Sequence, residues 1–323
     1  MPSNGRDLKK WFWVVLSVSG ILTYLYYYTI DLPGLLPRLA LHTDIIAGNA
    51  DTPYQYRVLV PFTIEPAFRA LSAYLPQTSA FLWSYLIYDF VAIAFVLAGL
   101  FMFLKLWFTP EQSLMGTLFA GASMAFALRD HYFQPWSILE AGLFTLALLL
   151  MFRRRYWLLA LVVLIASFNR ETAVFLPLTF LITARHRSAS GPIPGRSRAL
   201  LLAAGYFAIW LVVFAGLHLV RGNAELVDTL SEIWAVNINP AFAVKTATHL
   251  VLFLGAFWIF AILGLKRAPD FLRRGALVVP IYLAFIAVFG IWLEVRLLMP
   301  LYPLLIGLGL SYLYPPALVS EAT

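Results

Sequence analysis

The sequence predicts an all-α, polytopic membrane protein with about ten transmembrane helices, and three observations carry that expectation. The chain is 62% hydrophobic and only 12% charged, with a mean hydropathy of +0.82, a composition no soluble globular domain shares. Its apolar residues fall in long runs separated by short polar stretches rather than in alternating strand-like patterns. Finally, Lys and Arg collect in alternate stretches, the pattern expected when basic loops stay on the cytoplasmic side of a bilayer.

Taken in order, the first apolar run, Trp11 to Ile30, follows Arg6, Lys9 and Lys10 and lacks a small-residue cleavage site, so it reads as a retained anchor. Further runs cover 80–104, 112–128, 136–152, 156–168, 173–184, 199–220, 248–266, 275–293 and 297–314. Trp11, Trp13, Tyr26 to Tyr28, Trp83 and Trp107 stand near run ends, where aromatic side chains anchor a helix at the interface.

Tyr156 to Thr183 needs a separate argument. Arg153, Arg154 and Arg155 precede it, and Arg185 and Arg187 follow, so both ends favour the cytoplasm. As one helix its roughly 28 residues would span about 42 Å, well over a hydrocarbon core of about 30 Å. Two short helices meeting at Asn169-Arg170-Glu171-Thr172 fit better, with the tip in a protein-lined cavity open to the outer side. Asn169 or Thr172 is expected to cap the second of them.

With both termini cytoplasmic, Lys105, Arg153 to Arg155, the loop 185–198 and the stretch 266–274 all face inward. The net charge of +7 is therefore a topology signal and implies no nucleic-acid partner. Residues 1–323 read as one membrane domain, with 31–79 as its longest outer loop. Within that loop Phe62, Phe68, Leu71 and Leu75 recur near helical spacing, which predicts an interfacial helix over 59–75. The absence of cysteine excludes disulfides, thiol catalysis and Cys-ligated metal.

The same alternation gathers the acids and amides on the outer side. Asp44 and Asp51 flank Gly48 there, ahead of Tyr54-Gln55-Tyr56-Arg57-Val58-Leu59-Val60-Pro61. A carboxylate held against an apolar surface can take a proton from a sugar hydroxyl; an ordinary solvated loop is the alternative. Arg170 at a helix start suits a phosphate, but it can equally be a structural partner of Glu171. Glu294-Val295-Arg296 lies between two apolar runs, so Arg296 is either a second phosphate ligand or a snorkelling side chain at a turn. His131 and Gln134 fall in a short outer turn, where His131 alone is more often a surface residue than a ligand. Asp89 and Glu140 sit inside apolar runs, as hydrogen-bonded structural groups or as parts of an ion path.

Together the acidic first loop with Tyr54-Gln55-Tyr56-Arg57-Val58-Leu59-Val60-Pro61, the short helices around Phe168-Asn169-Arg170-Glu171-Thr172, and the late Glu294-Val295-Arg296-Leu297-Leu298-Met299-Pro300-Leu301-Tyr302-Pro303 resemble the GT-C superfamily of membrane glycosyltransferases, in an uncharacterised bacterial branch. The resemblance implies a GT-C-like fold in the bacterial inner (plasma) membrane with an extracytoplasmic active site. It implies transfer of a hexosyl or pentosyl group, with inversion, from a polyprenyl-phosphate donor to a glycan, lipid or protein acceptor. Asp44 first and Asp51 second would be the catalytic base. Arg170 and Arg296 would hold the donor phosphate, with Arg57, Tyr54, Glu171, Glu294, His131 and Gln134 around it. The first loop lacks an Asp-x-Asp pair, which argues against a required divalent cation. The outer segments are short, so acceptor binding is expected from the membrane domain or a partner. Two rivals remain open: a transporter or flippase of lipid-linked glycans, and a non-catalytic membrane scaffold subunit.

Overall fold

In the computed structural model, which describes residues 5–129, 134–186, 194–222 and 225–316, the chain is 81% helical, and no strand forms among the described residues. Helix α1, Gly5–Tyr26, continues into a wider π turn, Tyr27–Asp31, that buries Ile30 and Asp31. Two amphipathic helices follow, α2 (Leu35–Ala47) and α3 (Leu59–Ser72). They pack on α4, Gln77–Leu104, the longest helix described. Next come α5 (Pro110–Ala127), opened by a Thr109/Gln112 capping box, and α6 (Pro135–Phe152), which starts on its proline.

The pair α7 (Tyr156–Asn169) and α8 (Phe175–Thr183) is joined by a single 3₁₀ turn, Glu171–Val174. Arg154, at positive φ before α7, donates from Nη2 to the carbonyl of His186, 3.1 Å away, just after α8. The two ends of this hairpin remote from its tip therefore lie together, as the two flanking basic clusters require, and its tip is buried at the opposite end. Then follow α9 (Arg196–Arg221), α10 (Leu230–Asn237), α11 (Pro240–Leu254), α12 (Phe257–Gly264), α13 (Asp270–Gly275), α14 (Val278–Phe289) and α15 (Tyr302–Leu313), the last preceded by the 3₁₀ segment Val295–Leu301.

Among the described residues, six helical stretches are long and apolar enough to cross a membrane, or seven if α11 and α12 form one span. The molecule is a membrane-embedded helical protein. The expected ten spans thus reduce in kind: α5 has the length of a span without its hydropathy, and α7 and α8 are each too short. The run 248–266 is also not one rod, because α11 and α12 bend by 58° at Gly255, whose φ of +50° favours glycine.

The core sits where α4 packs on α6 and α12 on α15. Close approach sets the second contact: a Cβ on Gly264 would collide with the Leu308 carbonyl. The segment 31–79 holds α2 as well as the expected helix, which runs over 59–72. Pro37 falls in the first turn of α2, where no backbone donor is needed.

Candidate functional site

Three stretches far apart in sequence meet at one end of the bundle. The first is the 3₁₀ turn Tyr54–Tyr56, fastened to the end of α9 by a hydrogen bond from the Tyr56 hydroxyl to the Gly222 carbonyl (2.8 Å) and by stacking of Tyr56 on His218. The Thr52 backbone pairs with the Glu225 and Val227 backbone beside it. So held, Arg57 reaches the hairpin tip and forks onto Glu171, Nε to Oε1 at 3.3 Å and Nη2 to Oε2 at 3.1 Å. Its guanidinium lies 5.6 Å from the Tyr54 ring centroid and 5.3 Å from that of Trp136.

The tip itself is locked to α6. Arg170 Nη1 donates to Glu140 Oε2 at 2.8 Å, Thr172 Oγ1 donates to Glu140 Oε1, and Asn169 Nδ2 donates to the Trp136 carbonyl at 3.0 Å. This overturns the capping role expected of Asn169 and Thr172, since no side chain caps the turn at Glu171 or α8. The reason is energetic: a carboxylate inside an apolar helix needs charged and hydroxyl donors more than a helix start needs an acceptor. Glu140 is thus a hydrogen-bonded structural group.

The third stretch is the 3₁₀ segment beginning at Val295, where Arg296 Nη2 meets Glu294 Oε1 at 2.9 Å. This segment packs on α6, the helix that also holds the hairpin tip. Burial raises the Tyr54 phenol above its ordinary value, and among the charges acting on it Arg57 and Arg296 pull it back while Glu294 and Asp228 push it up. Gln134 completes the junction, accepting from Trp136 Nε1 at 2.8 Å and donating toward the Tyr54 hydroxyl at 3.4 Å. A small pocket lined by Tyr56, Ser167, Glu171, Phe214, Leu217 and His218 opens beside it.

Arg57, Arg170 and Arg296 therefore each hold a carboxylate, Glu171, Glu140 and Glu294 respectively. The cluster balances three cations with three anions. It is graded in accessibility: the Glu140 side chain is 3% exposed, that of Glu294 16% and that of Glu171 27%. The openness lies on the carboxylates rather than the cations, since the Arg57 and Arg170 side chains are each 8% exposed and that of Arg296 2%; Arg57, paired with the most open carboxylate, is the one an anionic ligand reaches most easily.

Asp44 and Asp51 are brought less close. Asp44 lies on the exposed face of α2, away from that helix's buried face of Arg38, His42 and Ile45. Asp51 is also exposed, but its carbonyl accepts from the Gln55 backbone, at the start of the turn that carries Tyr54. His131 lies outside the described residues. Among the described residues no group of three or more His, Asp or Glu side chains converges as a metal site would.

The sequence reading missed a second polar cluster against α4. Arg38 pairs with Asp31 and lies over the rings of Tyr26 and Tyr85; His42 joins the Tyr85 hydroxyl (2.9 Å) to Glu65 (2.8 Å). The signal was present: Arg38, His42 and Ile45 recur at helical spacing, so a polar pair shares the apolar stripe of α2. No family model, no curated protein and no solved structure matches this chain.

Proposed function

We propose that the chain is an integral plasma-membrane glycosyltransferase of the GT-C type, moving a sugar from a polyprenyl-phosphate donor to a glycan, lipid or protein acceptor on the extracytoplasmic side. The observation that carries this reading is that Arg57 of the first motif forks onto Glu171 of the second, while the third motif packs on α6, the helix that holds Arg170 of the second. Those are the stretches in which the resemblance resides, and nothing in their spacing along the chain requires them to meet.

In the proposed reaction a carboxylate takes the proton of an acceptor hydroxyl, whose oxygen attacks the anomeric carbon as the bond to the phosphate oxygen breaks, inverting the centre. Asp51 is placed better than Asp44 for the base, because it opens the turn that delivers Tyr54 and Arg57 to the cluster. Arg57 and Arg296 stabilise the departing polyprenyl phosphate. Arg170 becomes a positioning residue, holding the hairpin tip to α6 through Glu140.

The test uses purified full-length protein in lipid nanodiscs, supplied with radiolabelled polyprenyl-phosphate sugars and candidate acceptors. Asp51→Asn is expected to abolish release of polyprenyl phosphate while leaving the helical circular dichroism unchanged. Full activity in both Asp44→Asn and Asp51→Asn removes the base assignment. Movement of intact lipid-linked glycan across proteoliposomes, without bond cleavage, would favour the flippase reading.

A further inference from the structure

Asp89 lies within α4, fully buried, and neither of its side-chain oxygens has a hydrogen-bond partner in the structure. It is the unpaired member of the second cluster. One cation, Arg38, acts on it, and that cation is already joined to Asp31 at the end of the π turn. An ionised carboxylate with no hydrogen bond in an apolar helix interior is strongly disfavoured, so the neutral acid is the form this fold can hold.

From Asp89 the polar groups continue outward, the first step crossing one helical turn without a hydrogen bond and the later steps bonded. Tyr85 stands one turn earlier on the same face of α4. Its hydroxyl meets His42 Nδ1 at 2.9 Å, and His42 Nε2 meets Glu65 Oε2 at 2.8 Å. Glu65 then pairs with Arg69, which is exposed. The bonds assign the resting tautomer: Nε2–H donates to the Glu65 carboxylate and Nδ1 accepts from the Tyr85 O–H. The remaining groups around Asp89 are Tyr26 and Tyr88, and Tyr88 donates to the Pro135 carbonyl, off the line. A metal ion would have to share this place with the Arg38 guanidinium, which argues against one.

We propose that Asp89 is a proton-binding site within the membrane, reached from the Glu65 surface through His42 and Tyr85. On discharge the Tyr85 O–H proton passes to His42 Nδ1 as the Nε2 proton passes to Glu65, and the Tyr85 oxygen, turned toward Asp89, takes the carboxyl proton. The reverse sequence recharges Asp89, and no charge accumulates on any intermediate group. The inference is independent of glycosyl transfer.

Infrared spectroscopy of the full-length protein in nanodiscs tests it. The wild type should show the carbonyl band of a protonated carboxylic acid that Asp89→Asn removes; should that variant fail to fold, Asp89→Glu should move the band. On transfer to deuterated water the band should shift promptly. In His42→Gln, which keeps hydrogen bonds to both neighbours but does not relay a proton, the shift should be at least ten-fold slower. A band indifferent to both Asp89 variants, or equally fast exchange in His42→Gln, overturns the proposal. So does a band that vanishes in sodium chloride but not in choline chloride, which would make the site one for a metal cation.

Discussion

Replacing Glu140 by Gln keeps the volume of the side chain and its bond to Thr172 but removes the only carboxylate that Arg170 contacts directly. Arg170 is buried, with its Nε already lacking a partner, so the variant leaves a cation uncompensated inside the bundle. Breaking a buried pair from one side costs about 3–5 kcal/mol. At about 1.4 kcal/mol per factor of ten, that is between about a hundred-fold and a few thousand-fold in the unfolding equilibrium. Chemical unfolding in detergent micelles, followed by tryptophan fluorescence, reads it directly. A second measurement separates pair from site: Glu140→Gln with Arg170→Met should recover most of the loss, since it removes the buried cation that the single variant leaves unpaired while the introduced glutamine keeps its bond to Thr172. The reasoning fails if Glu140→Gln costs less than about 1 kcal/mol, the worth of an exposed ion pair. It also fails if the double variant is as unstable as the two losses summed.

Further expectations follow from the same geometry. Glu171→Gln should cost far less stability than Glu140→Gln, because its carboxylate is 27% exposed and the pair it forms with Arg57 is partly solvated; unfolding of the two variants side by side decides it. Gly264→Ala should destabilise by about 1–3 kcal/mol by forcing α12 off the Leu308 carbonyl of α15, read as a drop in thermal midpoint, whereas Gly205→Ala, which meets nothing, should not. Acid should loosen α2 and α3. Burial holds His42 below the ordinary histidine range, and at Glu65 the bonds from His42 and Arg69 outweigh burial and hold the carboxyl below its own. In both cases the unfolded chain binds the proton more readily, so stability falls as pH drops below about 6.5 for His42 and further below about 4.5 for Glu65. Amide exchange of residues 35–72 should accelerate over that range in the wild type, and the upper part of the response should disappear in His42→Gln.

The fold class was legible because membrane insertion acts on composition and run length, both of which are local. The hairpin at 156–183 was legible for the same reason: three arginines before it and two after it demand one side, and the Arg154–His186 contact shows the two ends meeting. What stayed hidden was pairing. Arg170 and Glu171 are neighbours in sequence, yet each turns to a different partner, Glu140 on α6 and Arg57 before α3. Adjacent residues beyond a helix end point in different directions, and only tertiary packing decides which carboxylate each cation meets. The α2 helix was hidden in part by Pro37, since a proline's local signal is a breaker wherever the turn it occupies is unknown.

These pairings explain how a short-looped membrane protein can hold irregular backbone at the depth of its site. The chain at Arg170 is extended, with φ −164° and ψ +151°, between α7 and the 3₁₀ turn; its own N–H reaches the Ala166 carbonyl and its carbonyl accepts from Ala173, but the helical ladder stops there. Glu140, Trp136 and Trp210 close the gap from neighbouring helices: Glu140 and the Trp136 carbonyl take the tip's side chains, and Trp210 Nε1 donates to the Glu171 carbonyl at 3.1 Å. The break in the hairpin is thus paid for by α6 and α9. Arg57 then seals it from the segment before α3, leaving Glu171 as the partly open carboxylate of the tip.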